Sequence, residues 1–231
     1  MFSYPRGLKT EAKRAMAPLA RRMSRRASAL PIELWGMYVD AEGRLCYAGR
    51  DVLSLVQEAG ETPVHLLDAA RLDANLAAFQ RSGAEVYYSF KTQPLPWVIR
   101  RLMALGAGAE VISEYELRLA LHLGAPAHKI IFNGPGKTDA SIRLAIESQI
   151  FLFNINHLEE VDRVADIAHS LGRTLRVGVR ANTSAGWSSQ FGCSIASGEA
   201  LRVYQRALQR PELQVVGLHS HRGSHIYTQD E

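Results

Sequence analysis

Val86-Tyr87-Tyr88-Ser89-Phe90-Lys91-Thr92 reads as a short buried strand that ends on a single lysine. Aromatic and β-branched side chains suit a pleated, covered surface, and an ammonium group closing such a run is costly unless its charge has a task. A lysine held against apolar walls loses its proton readily, which makes its amine a nucleophile for a carbonyl. The plain alternative is a strand-end lysine that reaches solvent along its own methylene stem. Pro94, Pro96 and Trp97 follow, ending the strand and opening a helix over residues 95–105. Lys91 therefore falls at a strand-to-helix junction, where α/β folds put their chemistry.

Outward from this stretch one unit repeats: apolar strand, short loop, amphipathic helix. Strands are expected over residues 85–90, 109–113, 129–133, 150–155, 175–181 and 214–220. Helices are expected near 95–105, 114–123, 139–148, 157–171 and 199–209. Ser113-Glu114-Tyr115-Glu116 has the spacing of a capping box, and Gly172 that of a helix C-cap. Strands alternating with helices mean a parallel sheet, and strands apolar nearly throughout suit a sheet covered on both faces. Doubly wound sheets and barrels share this pattern. No Gly-x-Gly-x-x-Gly follows the first strand, which argues against a dinucleotide site. Polar residues collect instead at the C-terminal tip of nearly every strand: Lys91, Ser113-Glu114, Asn133, Asn154 and Asn156, Arg180 and Asn182, His219 and His221. Convergence of polar groups at all tips is what the mouth of a (β/α) barrel requires.

Upstream, residues 34–38 and 45–47 read as two short strands around the turn Ala41-Glu42-Gly43-Arg44. Residues 51–59 read as a short helix closed by Gly60, and residues 62–68 as a further strand whose last residue, Asp68, can cap a helix running to about Gln80. Residues 1–30 are a basic leader. Arg6, Lys9, Lys13, Arg14, Arg21, Arg22, Arg25 and Arg26 against Glu11 give it +7, so of the net +4 the remaining chain carries −3. The leader has no apolar core of a secretory signal, and a frayed or helical extension is expected there. The mildly acidic remainder gives nucleic-acid binding little support. No apolar run is long enough to span a bilayer. Two cysteines, Cys46 and Cys193, make no disulfide framework and fit a reducing, cytoplasmic setting.

The other informative stretch is Gly217-Leu218-His219-Ser220-His221-Arg222-Gly223-Ser224-His225. Strand alternation points His219 and His221 the same way. Gly223-Ser224 beyond the tip offers N–H groups and a hydroxyl to an anion such as a phosphate. Three readings stay open on these residues. His219, His221 and His225 could hold a metal, as in a metal-dependent barrel hydrolase, although Asn133, Asn154 and Asn182 are poor further ligands. One imidazole could lie flat on an aromatic cofactor while Ser224 holds its phosphate. Both histidines could simply bond neighbouring loops.

Taken together and in order, five segments resemble the alanine-racemase-like (fold type III) pyridoxal-phosphate-dependent decarboxylases, most of all diaminopimelate and ornithine decarboxylases. Tyr88-Ser89-Phe90-Lys91-Thr92 is similar to their lysine motif, and Gly106-Ala107-Gly108-Ala109-Glu110-Val111-Ile112-Ser113 with Glu116-Leu117 to their next strand and helix. Ile131-Phe132-Asn133-Gly134-Pro135-Gly136-Lys137 resembles their third strand and loop, Phe191-Gly192 their Phe-Gly pair, and residues 217–224 their Gly-Leu-His-x-His-x-Gly-Ser segment. The match runs from about residue 32 to the end.

The resemblance implies a pyridoxal-phosphate-binding (β/α)8 barrel and decarboxylation of an amino acid, diaminopimelate in lysine biosynthesis above all, through a Schiff base on Lys91. It implies that His221 stacks on the pyridine ring, that Ser224 beside Gly223 contacts the phosphate, and that Glu110 and Arg180 lie next to the cofactor. Glu110 replaces the more usual Asp, and Gln190 stands where a Lys often precedes Phe-Gly. No metal is implied; a small amino-acid substrate and a homodimer of the full-length form are. The family's glycine-rich loop after a seventh strand, its eighth strand and its C-terminal β domain have no counterpart here. The expected organisation is thus a leader over 1–30, the first β portion of the second domain over 31–68, and an incomplete barrel of about six strands over 69–231, a fragment of the active enzyme. A non-catalytic truncated homologue that binds a partner decarboxylase subunit through its open edges is the other reading.

Overall fold

In the computed structural model, which describes residues 31–182 and 191–221, the chain divides into two compact units, with the division between Ala69 and Ala70. The leader, Gln190, Gly223, Ser224 and His225 lie outside the described residues.

The first unit holds a small antiparallel sheet of Met37–Val39 (β1), Leu45–Tyr47 (β2) and Arg50–Asp51 (β3), paired in chain order. Asp40 makes the first turn: its carboxylate accepts from the N–H groups of Glu42 (3.1 Å) and Arg44 (2.8 Å). Asp51 caps the helix Val52–Ala59 (α1) by accepting from the Ser54 N–H at 2.9 Å, and Gly60, at φ 76°, ends it. The first strand starts later than its composition implies, because residues Ile32–Trp35 form a 3-10 turn closed by Gly36. Residues 62–68, expected as a strand, form none. Their apolar alternation has no ladder to join, and Pro63 lacks a donor for one.

In the second unit the helix Ala69–Gln80 (α2) leads into the repeating pattern. The elements are Tyr87–Ser89 (β4), Pro96–Ala104 (α3), Gly108–Val111 (β5), Glu114–His122 (α4), Ile130–Phe132 (β6), Asp139–Glu147 (α5) and Leu152–Ile155 (β7). Leu158–Ser170 (α6), Leu175–Asn182 (β8), the two-residue Cys193–Ser194 (β9), Glu199–Leu208 (α7) and Leu213–His219 (β10) complete it. Every strand and helix expected from residue 85 onward is present. The sheet order is β10-β8-β7-β6-β5-β4, all parallel, with β9 added to the tip of β8. A doubly wound sheet reverses direction at its middle. Here each crossover steps to the next position in one direction, which is the winding of a (β/α) barrel.

Strand alternation separates two faces. Ala109, Val111, Ile130, Phe132, Phe153, Ile155, Val177 and Val179 are buried against Ile99, Leu117, Ile142, Val161 and Val164 of the helices, with Phe132 and Phe153 edge to face at 5.6 Å. The opposite face is only partly the apolar one expected, with Ile112, Ile131 and Leu152 on it. It carries Ser89, Glu110, Asn133, Asn154 and Arg180, because it bounds a cavity and not a second layer of helices.

Two local features aim the strand tips. Ser113 caps α4, its hydroxyl accepting from the Glu116 N–H at 3.2 Å. The return arm of the expected capping box is shifted: the Glu116 carboxylate takes the Ile112 N–H (2.8 Å), not that of Ser113, and so holds the tip of β5. After β6 the chain turns at Gly134, φ 90°, where an added Cβ would stand 2.1 Å from the Ile112 carbonyl oxygen. Gly134→Ala is expected to destabilise by about 1–3 kcal/mol from left-handed strain alone, with the clash adding to it, as read by urea unfolding.

Candidate functional site

All six parallel strands contribute to one cavity of about 550 Å3 at their C-terminal ends. Its floor is apolar, from Ile112, Ile131 and Leu152, and its polar groups are Ser89, Lys91, Glu110, Asn133, Asn154, Arg180, His219, Ser220 and His221. The volume suits a small cofactor with part of a substrate.

Lys91 sits on the 3-10 turn Phe90–Thr92 that follows β4. Phe90 is fully buried and the Thr92 hydroxyl donates to the Ser89 carbonyl at 2.7 Å, so the turn is anchored from both sides. The lysine itself is exposed, which corrects the expectation of an ammonium held against apolar walls. The tightened backbone of the turn takes it out of the strand's inward and outward alternation.

Next to it runs a row of polar side chains at successive strand positions. The Asn133 side-chain NH2 donates to Glu110 Oε1 at 2.6 Å, and the Asn154 side-chain NH2 donates to Asn133 Oδ1. Asn154 has room because its neighbour across the ladder is Gly178, where a Cβ would lie 2.3 Å from Asn154 Oδ1. Arg180, half-buried, places its guanidinium 5.3 Å from the centre of the Phe191 ring. His219 pairs with Arg180 across the β8–β10 ladder, and His219 and His221 line the cavity together with their neighbours Leu218 and Ser220, so strand alternation does not sort this tip. Gly223, Ser224 and His225 lie outside the described residues, as does any part they take in the site.

Burial, reinforced by the Arg180 charge, pushes the His219 imidazole down to about 4 from its ordinary 6.5. The imidazole is therefore neutral through the physiological range. Between those two values the unfolded chain binds the proton and the folded chain does not, so stability is expected to fall as pH drops from about 6.5 to about 4 and to be flat above that window. Histidine NMR titration with a His219→Gln control checks it: the assigned resonance titrates near 4, and the stability loss in this window disappears in the variant.

Behind the row lies a buried ion pair that the sequence reading passed over. Lys137 Nζ is 2.7 Å from Glu160 Oε1, and the two side chains are 1% and 3% exposed. Burial lowers the lysine's proton affinity while the carboxylate opposes that shift. Lys137 stood in the sequence only as the end of a Gly-Pro-Gly-Lys loop, and its partner is 23 residues away on the helix α6, so no local signal joined them. Cys193 is buried nearby, donates to the Asn156 carbonyl at 3.1 Å, and is raised by burial to about 12, which keeps it a thiol.

Several buried side-chain atoms have no hydrogen-bond partner among the described residues, and three of them, Ser89 Oγ, Asn154 Oδ1 and His219 Nδ1, belong to the cavity lining. Orphaned buried polar atoms in a concave site mark where a polar ligand is accommodated. Among the described residues no three His, Cys, Asp or Glu side chains come together as a metal site, and no helix is long and apolar enough to cross a membrane.

The family model of the pyridoxal binding domain of pyridoxal-dependent decarboxylases matches residues 69–230. The chain belongs to that family. Among curated relatives, the diaminopimelate decarboxylase of Aquifex aeolicus is 31% identical over 198 residues, which are 80% of this chain and 46% of the relative. That of Zymomonas mobilis is 34% identical over 202 residues, 80% of this chain and 47% of the relative. Among solved structures, diaminopimelate decarboxylase from M. jannaschii in complex with L-lysine superposes with a TM-score of 0.74 at 30% identity, covering 82% of this chain and 48% of that one. This decarboxylase-family chain thus spans about half the length of the relatives it matches.

Pyridoxal phosphate, the cofactor of the family, suits the donor set of this cavity. The lining offers a free amine for an aldehyde (Lys91), an imidazole for a ring face (His221), and cationic and neutral donors for an anion. The resemblance read from the five sequence segments and the barrel winding both hold.

Proposed function

We propose that this chain provides the cofactor-binding part of a pyridoxal-phosphate-dependent amino-acid decarboxylase of the diaminopimelate type. The observation that carries this reading is the meeting of Lys91, Glu110, Arg180 and His221 in one cavity that also holds three orphaned polar atoms. In this reading Lys91 would hold the cofactor through its amine, which can condense with an aldehyde with loss of water, and His221 would lie against its ring. Gly223 and Ser224 hold its phosphate. Glu110 and Arg180 bracket its remaining polar groups, Glu110 being fixed in direction by the Asn133 amide.

The cofactor, when bound, accepts the electron pair left as carbon dioxide departs from the α-carbon. Lys91, as its ammonium, or a neighbouring acid of the cavity would be suited to return a proton at that carbon. The Ile112, Ile131 and Leu152 floor excludes water from one side, and the neutral His219 adds no second cation beside Arg180. The remaining assignments follow the family reading: a leader over 1–30, the opening β portion of the second domain over 31–68, a barrel portion over 69–231, a homodimer of the full-length enzyme, and a cytoplasmic setting.

Release of carbon dioxide from carboxyl-labelled meso-diaminopimelate, set against ornithine, arginine and lysine and measured on a full-length enzyme that contains this cofactor-binding part, tests the substrate. Release from diaminopimelate well above the others is the expected result. Release from another of the four would reassign the substrate. Release from none, by protein that carries the cofactor on Lys91, would assign the chain to a non-catalytic role beside a partner subunit.

A further inference from the structure

We propose that Lys137 and Glu160, which do not touch the cavity, are positioning residues for its polar wall: their ion pair sets Asn154 and Asn133 and, through them, Glu110. The β6–β7 ladder is paired only as far as Phe132 and Phe153. Beyond it the chain tips carry the site residues, and there the ion pair takes over. Lys137 Nζ donates to the Asn154 carbonyl at 2.8 Å while contacting Glu160. The other Glu160 oxygen accepts from the Asn156 N–H at 2.7 Å. The Asn156 side chain donates in turn to the Gly134 carbonyl at 2.8 Å, so the loop that bears Asn133 is tied to the same pair. From Asn154 the hydrogen bonds run on to Asn133 and to Glu110 Oε1.

This arrangement is costly by its nature. A buried ion pair is often no more stabilising than apolar side chains of the same volume. What an apolar pair cannot supply is a donor at the Asn154 carbonyl and an acceptor at the Asn156 N–H. The pair's distinctive product is therefore direction at two backbone groups. Phe153, with its ring centre 4.5 Å from Lys137 Nζ, gives the ammonium one fixed seat. The longer Glu110, one methylene beyond the aspartate the resemblance leads one to expect, has more freedom to lose and more need of a fixed partner.

The consequence for pyridoxal phosphate rests on the functional reading above; the consequence for the asparagine amides does not. Full-length chains of the wild type, Lys137→Met, and the double variant Lys137→Met with Glu160→Leu are compared by thermal midpoint, by side-chain amide exchange of Asn133 and Asn154 in 15N NMR, and by pyridoxal phosphate titration. Lys137→Met lowers the midpoint, and the double variant restores it. In the double variant the two amides nevertheless exchange about tenfold faster and cofactor affinity falls about tenfold, the scale of one lost charge-assisted hydrogen bond. A double variant with the wild-type midpoint and wild-type amide exchange overturns the proposal. Where that variant does not fold, Glu160→Gln, which keeps the shape and removes the charge, is read by the same amides with the same two outcomes. A wild type that takes up no pyridoxal phosphate removes the functional reading and leaves the amide comparison to decide this one.

Discussion

Lys91→Ala is expected to fold as the wild type does and to retain no pyridoxal phosphate that borohydride can fix. The first half follows from exposure. The Lys91 side chain is outside the core, and the turn beneath it is held by Phe90 and by the Thr92-to-Ser89 hydrogen bond, neither of which the substitution touches. Exposed substitutions of this kind stay within about 0.5 kcal/mol. The second half follows from the other lysines. Among the described residues Lys129 donates to the Gly106 carbonyl at 3.3 Å, away from the cavity, and Lys137 is sealed in its ion pair. Lys91 is the one lysine lining the cavity among them. Intact-mass analysis after borohydride reads the result. An adduct of undiminished yield in Lys91→Ala would count against the assignment of this lysine.

The largest stability effect is expected at Phe153. Its ring is fully buried, meets Phe132 edge to face at 5.6 Å, and lies under the Lys137 ammonium. Phe153→Ala removes an aromatic anchor from a core that cannot collapse around a rigid sheet, at a cost of about 3–5 kcal/mol. That is a large part of the roughly 5–15 kcal/mol that holds an ordinary domain together. Phe79→Ala, at a ring 68% exposed, is the matched control and is expected to change stability by less than about 0.5 kcal/mol. Urea unfolding of the two variants checks the contrast, and equal losses would mean that the core does not lie between β7 and its helices.

The contrast between Phe153 and Lys137 also shows what was legible in the sequence. The alternation of strands and helices from residue 85 could be read because each element carries its own period and its own ends, Ser113 and Gly172 among them. The polar tips were legible for the same local reason: Asn133, Asn154, Arg180 and His219 each interrupt an apolar run at its last residues. Residues 62–68 misled because a strand-like composition says nothing about whether a neighbouring strand exists to pair with. Lys91 misled in its surroundings, since a turn of three residues, invisible in the composition, decides whether its amine is sheathed or free. The Lys137–Glu160 pair was illegible because only the fold brings a loop lysine to the first turn of a helix 23 residues on. Whether the inner face is polar or apolar was likewise fixed by which strand positions turn inward, and Glu110 and Asn133 reveal that only once the register is known.

The measurement closest to the central claim is the visible spectrum of the purified chain with pyridoxal phosphate, followed by borohydride reduction and peptide mapping. The account predicts a visible band that borohydride bleaches and a pyridoxyl group on the peptide containing Lys91. No band, or a pyridoxyl group carried by Lys129 or by the leader lysines Lys9 and Lys13 in place of Lys91, would contradict it.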